Sequence, residues 1–242
     1  MTPDRDFHLY TLIGQSNMAG RGTVEPEDRV SHPRVLCLDR DRQWVPAVDP
    51  LHFDKPIAGV GPGLTFGKVM AGHRPDVWIG LVPCAVGGSP IRTWQPGGYW
   101  EQTSSHPYDD TLARCRIAQQ SGVLKGFLWH QGESDSNEQD APLYLERLRT
   151  LVDRLRTTPQ APQAAFVAAT LGDFFGARSE WAAAINGALE QLSAEVANTA
   201  CIQAAGLVHG GDELHFDAAS ARELGRRYAK AMLALQERGG RE

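Results

Sequence analysis

The feature that most constrains this chain is its alternation of short, nearly continuous apolar runs with stretches of helical period. The runs occupy residues 7–13, 35–38, 77–82, 124–129, 164–170 and 200–203. Strands that are apolar on both faces belong to a sheet covered on both sides, which in practice means parallel strands. Helical patterns fall between them at 63–73, 109–120, 142–156, 181–196 and 218–235. Pro142 suits the first turn of its helix, and Asp217 is placed to cap the last one. Strand–helix alternation along the whole chain predicts an α/β doubly wound sandwich. Ligands in such sheets bind beyond the carboxyl ends of the strands. The stretch 23–62 is rich in Pro, Asp and Gly and lacks periodicity, so a long surface excursion bordering that edge is expected.

A length of 242 residues fits one domain over 1–242, since single domains reach ~200–250 residues. Hydrophobic residues at 42% and charged residues at 22% match an ordinary globular mix, with no membrane partner expected. The net charge is −5 and there is no Lys/Arg-rich run, which argues against a nucleic-acid partner. The basic residues of 223–241 recur at helical spacing among apolar ones and are expected on a solvated face. Cys37, Cys84, Cys115 and Cys201 form no C-x-x-C pair, and no His pair has ligand spacing. No metal site is therefore expected. Cys84 and Cys201 lie in apolar runs, where a thiol behaves as a small hydrophobe. The N-terminus lacks a charged region followed by an apolar stretch. As written the chain is expected in the cytoplasm, or outside the cell if a leader has been removed.

Four short blocks carry chemistry. The first strand runs into Gly14-Gln-Ser-Asn-Met18. A serine at a strand-to-helix turn can expose its hydroxyl beside free backbone N–H groups, as acyl transfer requires. A lone serine there is more often only a helix cap, so Ser16 needs partners. The block Pro83-Cys-Ala-Val-Gly-Gly-Ser89 follows the strongest strand, and its paired glycines let the backbone approach a ligand. In Trp129-His-Gln-Gly-Glu-Ser-Asp135 a strand ends in polar side chains. Gln131 can donate an amide N–H to an oxyanion, and Glu133 can orient a histidine or bind a hydroxyl. In Gly211-Asp-Glu-Leu-His215, Asp212 stands three residues before His215 and can hold one ring nitrogen while the other acts as base. His209 is the rival base, but the residue three before it is Gly206.

Together the four blocks resemble the SGNH hydrolase superfamily, and within it the carbohydrate esterase family 6 and sialate O-acetylesterase-like group. They match that group's G-Q-S-N-M, P-C-A-x-G-G-[ST], W-x-Q-G-E-S-D and D-x-x-H blocks, in order, over nearly the whole chain. The resemblance implies a three-layer α/β/α fold, a mostly parallel sheet and deacetylation of carbohydrate esters without a cofactor. It assigns Ser16 as nucleophile, His215 as base and Asp212 as the orienting acid, with Glu133 the alternative acid. It implies oxyanion donors at the Ser16 and Gly88 backbones and the Gln131 side chain. The superfamily at large commonly offers Asn at the third block, so Gln131 must reach with one more methylene.

A small-molecule or oligosaccharide acetyl ester is the expected partner. Gln15, Arg92 and Trp94 are candidate substrate-binding side chains, the last two from the polar, Trp-containing stretch 92–100. The small and polar residues around Ser16 (Gln15, Asn17, Ala19 and Gly20) suit a short acyl group. Two alternatives belong to other classes: a short-chain lipid esterase or thioesterase, and a catalytically inactive carbohydrate-binding module.

Overall fold

The computed structural model describes residues 4–239. Seven strands form one sheet: β1 (Phe7–Gly14), β2 (Val35–Leu38), β3 (Trp44–Pro46), β4 (Trp78–Pro83), β5 (Val123–His130), β6 (Ala165–Ala169) and β7 (Thr199–Ile202). Their order across the sheet is β3-β2-β4-β1-β5-β6-β7. Every pairing is parallel except β2 with β3, which is antiparallel. Strand β3 was not expected. It is three residues long and sits inside the aperiodic 23–62 excursion, where it pairs only with β2 at the sheet edge.

The helices are α1 (Ser16–Ala19), α2 (Pro62–His73), α3 (Pro107–Ala118), α4 (Tyr144–Thr157), α5 (Asp173–Gly176), α6 (Ala182–Glu195) and α7 (Ala218–Gly239). Asp217 caps α7, its Oδ1 accepting the Ser220 N–H at 2.7 Å, while Arg241 lies outside the described residues. Alternation along β1 divides the core into two layers. Leu9 and Ile13 face one way and pack with Leu112 of α3, Leu148 of α4 and Leu189 of α6. Tyr10 and Leu12 face the other way, against Phe66 and Met70 of α2 and Leu224 and Tyr228 of α7. This is the three-layer α/β/α sandwich. Each fully buried Leu or Phe contributes roughly 1.5–3 kcal/mol of transfer free energy. Two apolar faces per strand are therefore what hold so polar a set of loops at one end. Among the described residues no helix is long and apolar enough to cross a membrane, and all four cysteines are free thiols.

Strands β4, β1 and β5 are neighbours. Leu12 stands opposite Pro83, and Gly14 opposite His130. The segments that follow these three strands, beginning at Gln15, Cys84 and Gln131, therefore leave the same edge side by side. Gly14 makes this possible. Its φ is +124°, and a Cβ there would lie 2.1 Å from the His130 carbonyl oxygen, so no other residue fits between β1 and β5. The loop before α7 reaches the same edge.

Candidate active site

Ser16 is the first residue of α1, directly after the β1 edge, and is 6% exposed. His215 Nε2 lies 2.9 Å from Ser16 Oγ, and His215 Nδ1 lies 2.6 Å from Asp212 Oδ2. Asp212 Oδ1 accepts the backbone N–H groups of Leu214 at 2.9 Å and His215 at 2.8 Å. Partial burial raises the Asp212 carboxyl. The two backbone N–H groups and the imidazole outweigh it and hold the group down at about 2. The rival His209 is occupied elsewhere, its Nδ1 accepting the N–H groups of Gly211 and Glu213.

Three donors near Ser16 are unoccupied. The Ser16 N–H is the first of its helix and has no acceptor within it. In the segment after β4, Val86, Gly87 and Ser89 donate their N–H groups to Gly14 O, Asp54 Oδ2 and Val86 O. The Gly88 N–H, at a φ of +80°, has no such partner among the described residues. The third donor is Gln15 Nε2. Gln15 Oε1 accepts the Gln131 amide at 3.1 Å and the Ser134 N–H at 3.3 Å. That turns the Gln15 NH₂ away from them and leaves it without an internal acceptor. Gln15, Ser16, Gly88, Glu133 and His215 line a cavity of about 510 Å³, within the usual range for a small-ligand site. A larger depression of about 1240 Å³ lies at the opposite end of the sheet, around His8, Val123 and Ala165, and holds none of the motif residues.

The structure does not bring every expected residue to the cleft. Gln131 is fully buried, and its Nε2 faces Gln15 Oε1, Ser89 O at 3.2 Å and Asp135 Oδ2 at 2.5 Å. That amide is turned inward, so Gln131 does not line the cleft, whereas its neighbour Gln15 does. Trp94 is 2% exposed, donates its indole N–H to Ser89 Oγ and packs edge-on against Trp129. It is a core residue, because the short helical turn Ile91–Thr93 aims it inward. Arg92 is exposed and outside the cleft lining. Glu133 does border the cleft, but no hydrogen bond or ion pair joins it to His215. Its Oε1 accepts the Asn17 amide at 2.5 Å and its Oε2 is buried without a partner. Burial pushes this carboxyl up to about 7.

Sequence reasoning missed several lining residues. Lys55 and Ile57 come from the 23–62 excursion, which borders the site as expected, while Gln102 comes from a short helical turn, Phe175 from α5 and Arg178 from the segment after it. Arg21 pairs with Asp54 at 2.7 Å, tying the excursion to the turn after α1. Lys55 and Arg178 pair with no carboxylate among the described residues. Lys55 donates to Gln102 Oε1 and Arg178 to the Asp212 carbonyl. Their distance from the blocks along the chain hid them.

The chain is 32% identical over 250 residues to a probable carbohydrate esterase of Arabidopsis thaliana, covering 93% of this chain and 90% of that one. A solved structure of an Arabidopsis thaliana protein superposes with a TM-score of 0.83 at 30% identity, covering 94% of this chain and 98% of that one. The crystal structure of NanS gives a TM-score of 0.79 at 20% identity over 98% and 99% of the two chains, a likeness of fold. The model of the family described as carbohydrate esterase, sialic acid-specific acetylesterase matches residues 6–234. With nearly the whole chain matched, this protein belongs to that carbohydrate esterase family.

Proposed function

We propose that the protein is a serine esterase that removes acetyl groups from a carbohydrate through an acetyl-Ser16 intermediate. The observation that carries this reading is the Ser16–His215–Asp212 chain of contacts at 2.9 and 2.6 Å, open to a cavity bordered by unoccupied donors. His215 Nε2 takes the Ser16 Oγ proton as Oγ attacks the acetyl carbonyl. Asp212 keeps the Nδ1 proton in place and stabilises the imidazolium that forms. The developing oxyanion is received by the Ser16 N–H, the Gly88 N–H and Gln15 Nε2. His215 returns its proton to the sugar oxygen, which leaves. A water, deprotonated by His215, then attacks the acetyl carbon, and as acetate leaves the proton returns from His215 to Ser16 Oγ. The cleft lining favours a polar alcohol and a short acyl group over a lipid: Gln15, Lys55, Gln102, Ser134 and Arg178 outnumber Ile57, Phe175 and Leu214.

The test is Ser16→Ala, assayed on p-nitrophenyl acetate and on acetylated xylan, acetylated glucose and O-acetyl sialic acid. A kcat loss of ~10⁴–10⁶ with the fold intact is expected. Activity close to wild type would remove Ser16 from the mechanism. For the wild type, kcat/KM on p-nitrophenyl octanoate should fall far below that on acetate. The opposite order would favour a lipid ester as substrate.

A further inference from the structure

The nucleophile and the base are 199 residues apart in the chain, so something must set their distance. The bonds within the loop before α7 do not. Gly210 N donates to His215 O, Asp217 N to Val208 O, and Leu214 and His215 to Asp212. These fix His215 relative to Asp212 but leave both free to shift against Ser16.

Asn17 supplies the missing connection. It follows the nucleophile in α1 and is 5% exposed. Its Nδ2 donates to Leu214 O at 3.0 Å, and its Oδ1 accepts the Phe216 N–H at 3.1 Å. One side chain thus grips the backbone immediately before and immediately after His215. The second Nδ2 proton goes to Glu133 Oε1 at 2.5 Å. The amide orientation is therefore dictated: turning it over would set its oxygen against two acceptors and its NH₂ against a donor.

Among the described residues Glu133 has no other polar side-chain partner within bonding distance. The 3.7 Å approach of His130 Nε2 is too long for a hydrogen bond. It is no ion pair either, because burial pushes His130 down to about 3 and keeps it neutral.

We infer that Asn17 is a positioning residue that holds His215 against Ser16, and that Glu133 acts on the reaction through Asn17 by orienting its amide. The inference rests on Ser16 and His215 being nucleophile and base. A misplacement of about 1 Å in a reacting pair costs ~10² in rate, which sets the size of the effect.

The experiment is a double-mutant cycle on p-nitrophenyl acetate, with Asn17→Ala, Glu133→Gln and the double variant. Thermal midpoints and rates of Ser16 labelling by a fluorophosphonate are measured alongside. Asn17→Ala should lower kcat and the labelling rate ~10²-fold, with KM within about threefold of wild type. Glu133→Gln keeps an acceptor oxygen and should lose about 10-fold. The double variant should be no slower than Asn17→Ala alone, since Glu133 then has nothing to orient.

Additive losses would overturn the claim that Glu133 acts through Asn17. A kcat within twofold of wild type in Asn17→Ala, or a raised KM at unchanged kcat, would overturn the positioning role. Should Asn17→Ala fail to fold, Asn17→Ser takes its place in the cycle, because one hydroxyl cannot span Leu214 and Phe216. The same kcat loss is expected of it. If Ser16→Ala abolishes activity while Asn17→Ala is fully active, only this inference fails. If Ser16→Ala stays active, the proposed mechanism itself fails.

Discussion

Two segments that reach the cleft edge of the sheet carry a histidine and a carboxylate three residues apart, and they have opposite characters. In the loop before α7, Asp212 and His215 touch at 2.6 Å, and the Asp212 side chain is half exposed at 51%. Backbone N–H groups converge on that carboxylate and hold it at about 2. At the end of β5 and in the turn that follows, His130 and Glu133 are both buried and stand 3.7 Å apart. Burial pushes Glu133 up to about 7 and His130 down to about 3. The same spacing thus gives a charge-supporting pair in one place and a charge-suppressing one in the other. The difference lies in what surrounds them: solvent and oriented backbone dipoles around Asp212, apolar packing around His130, whose ring lies 5.4 Å from that of Phe216.

The sharpest way to break the comparison is to neutralise each carboxylate in turn. Asp212→Asn should lower kcat by ~10⁴, because the imidazolium loses its support and the tautomer its anchor. Glu133→Gln should cost no more than ~10–10². Steady-state kcat on p-nitrophenyl acetate decides it. A larger loss in Glu133→Gln would transfer the acid role to the buried pair.

Much of this contrast was legible in the sequence and part was not. The D-x-x-H spacing could be read directly because a turn brings residues three apart into contact, and Asp212 and His215 do meet. The apolar runs marked the strands, with β2 at 35–38 unchanged and β1 extended by one residue to Gly14. Side-chain direction at the strand ends was not legible. Gln131 and Trp94 sit in polar stretches that suggest side chains facing a ligand, yet both point inward, to Asp135 and to Trp129. Nor does spacing reveal groups that meet only across the cleft. Nothing local to Asn17 announces its hold on Leu214 and Phe216, and nothing local to Arg178 its bond to the Asp212 carbonyl.

Gln131 and Gln15 sharpen the comparison further, since one belongs to the buried segment and the other to the open cleft. Losing one oxyanion donor costs ~10²–10³ in kcat. Gln15→Ala should show that loss with KM nearly unchanged. Gln131→Ala should act chiefly on stability. It leaves Ser89 O and Asp135 Oδ2 without their shared donor, at a cost of ~1–3 kcal/mol. In a protein of this length that lowers the Tm by ~2–4 °C per kcal/mol. Matching kcat losses in the two variants, at equal Tm, would return Gln131 to the oxyanion site.

The smallest effect concerns pH and stability. Glu133 is raised in the folded protein from 4.5 to about 7. Its favourable contribution is therefore complete below 4.5 and is lost as pH rises through 7. His130 is depressed from 6.5 to about 3, so its contribution is complete above 6.5 and is lost as pH falls towards 3. Between 4.5 and 6.5 the two oppose each other. Above 6.5 the imidazole side is complete, and the fall comes from Glu133 and from Asp49, which burial raises to about 8, with the thiols of Cys37, Cys84, Cys115 and Cys201, all raised by burial, adding to it at the alkaline end. Asp212, at about 2, has no slope left in that range. The wild-type Tm should consequently fall between pH 6.5 and 8.5. In Glu133→Gln that fall should shrink by roughly 1 kcal/mol, ~2–4 °C, whereas in Asp212→Asn it should persist in full. Thermal melts across this range test it. An undiminished alkaline fall in Glu133→Gln would mean that Glu133 is already ionised in the folded protein, and the contrast between the two pairs would then be one of distance alone.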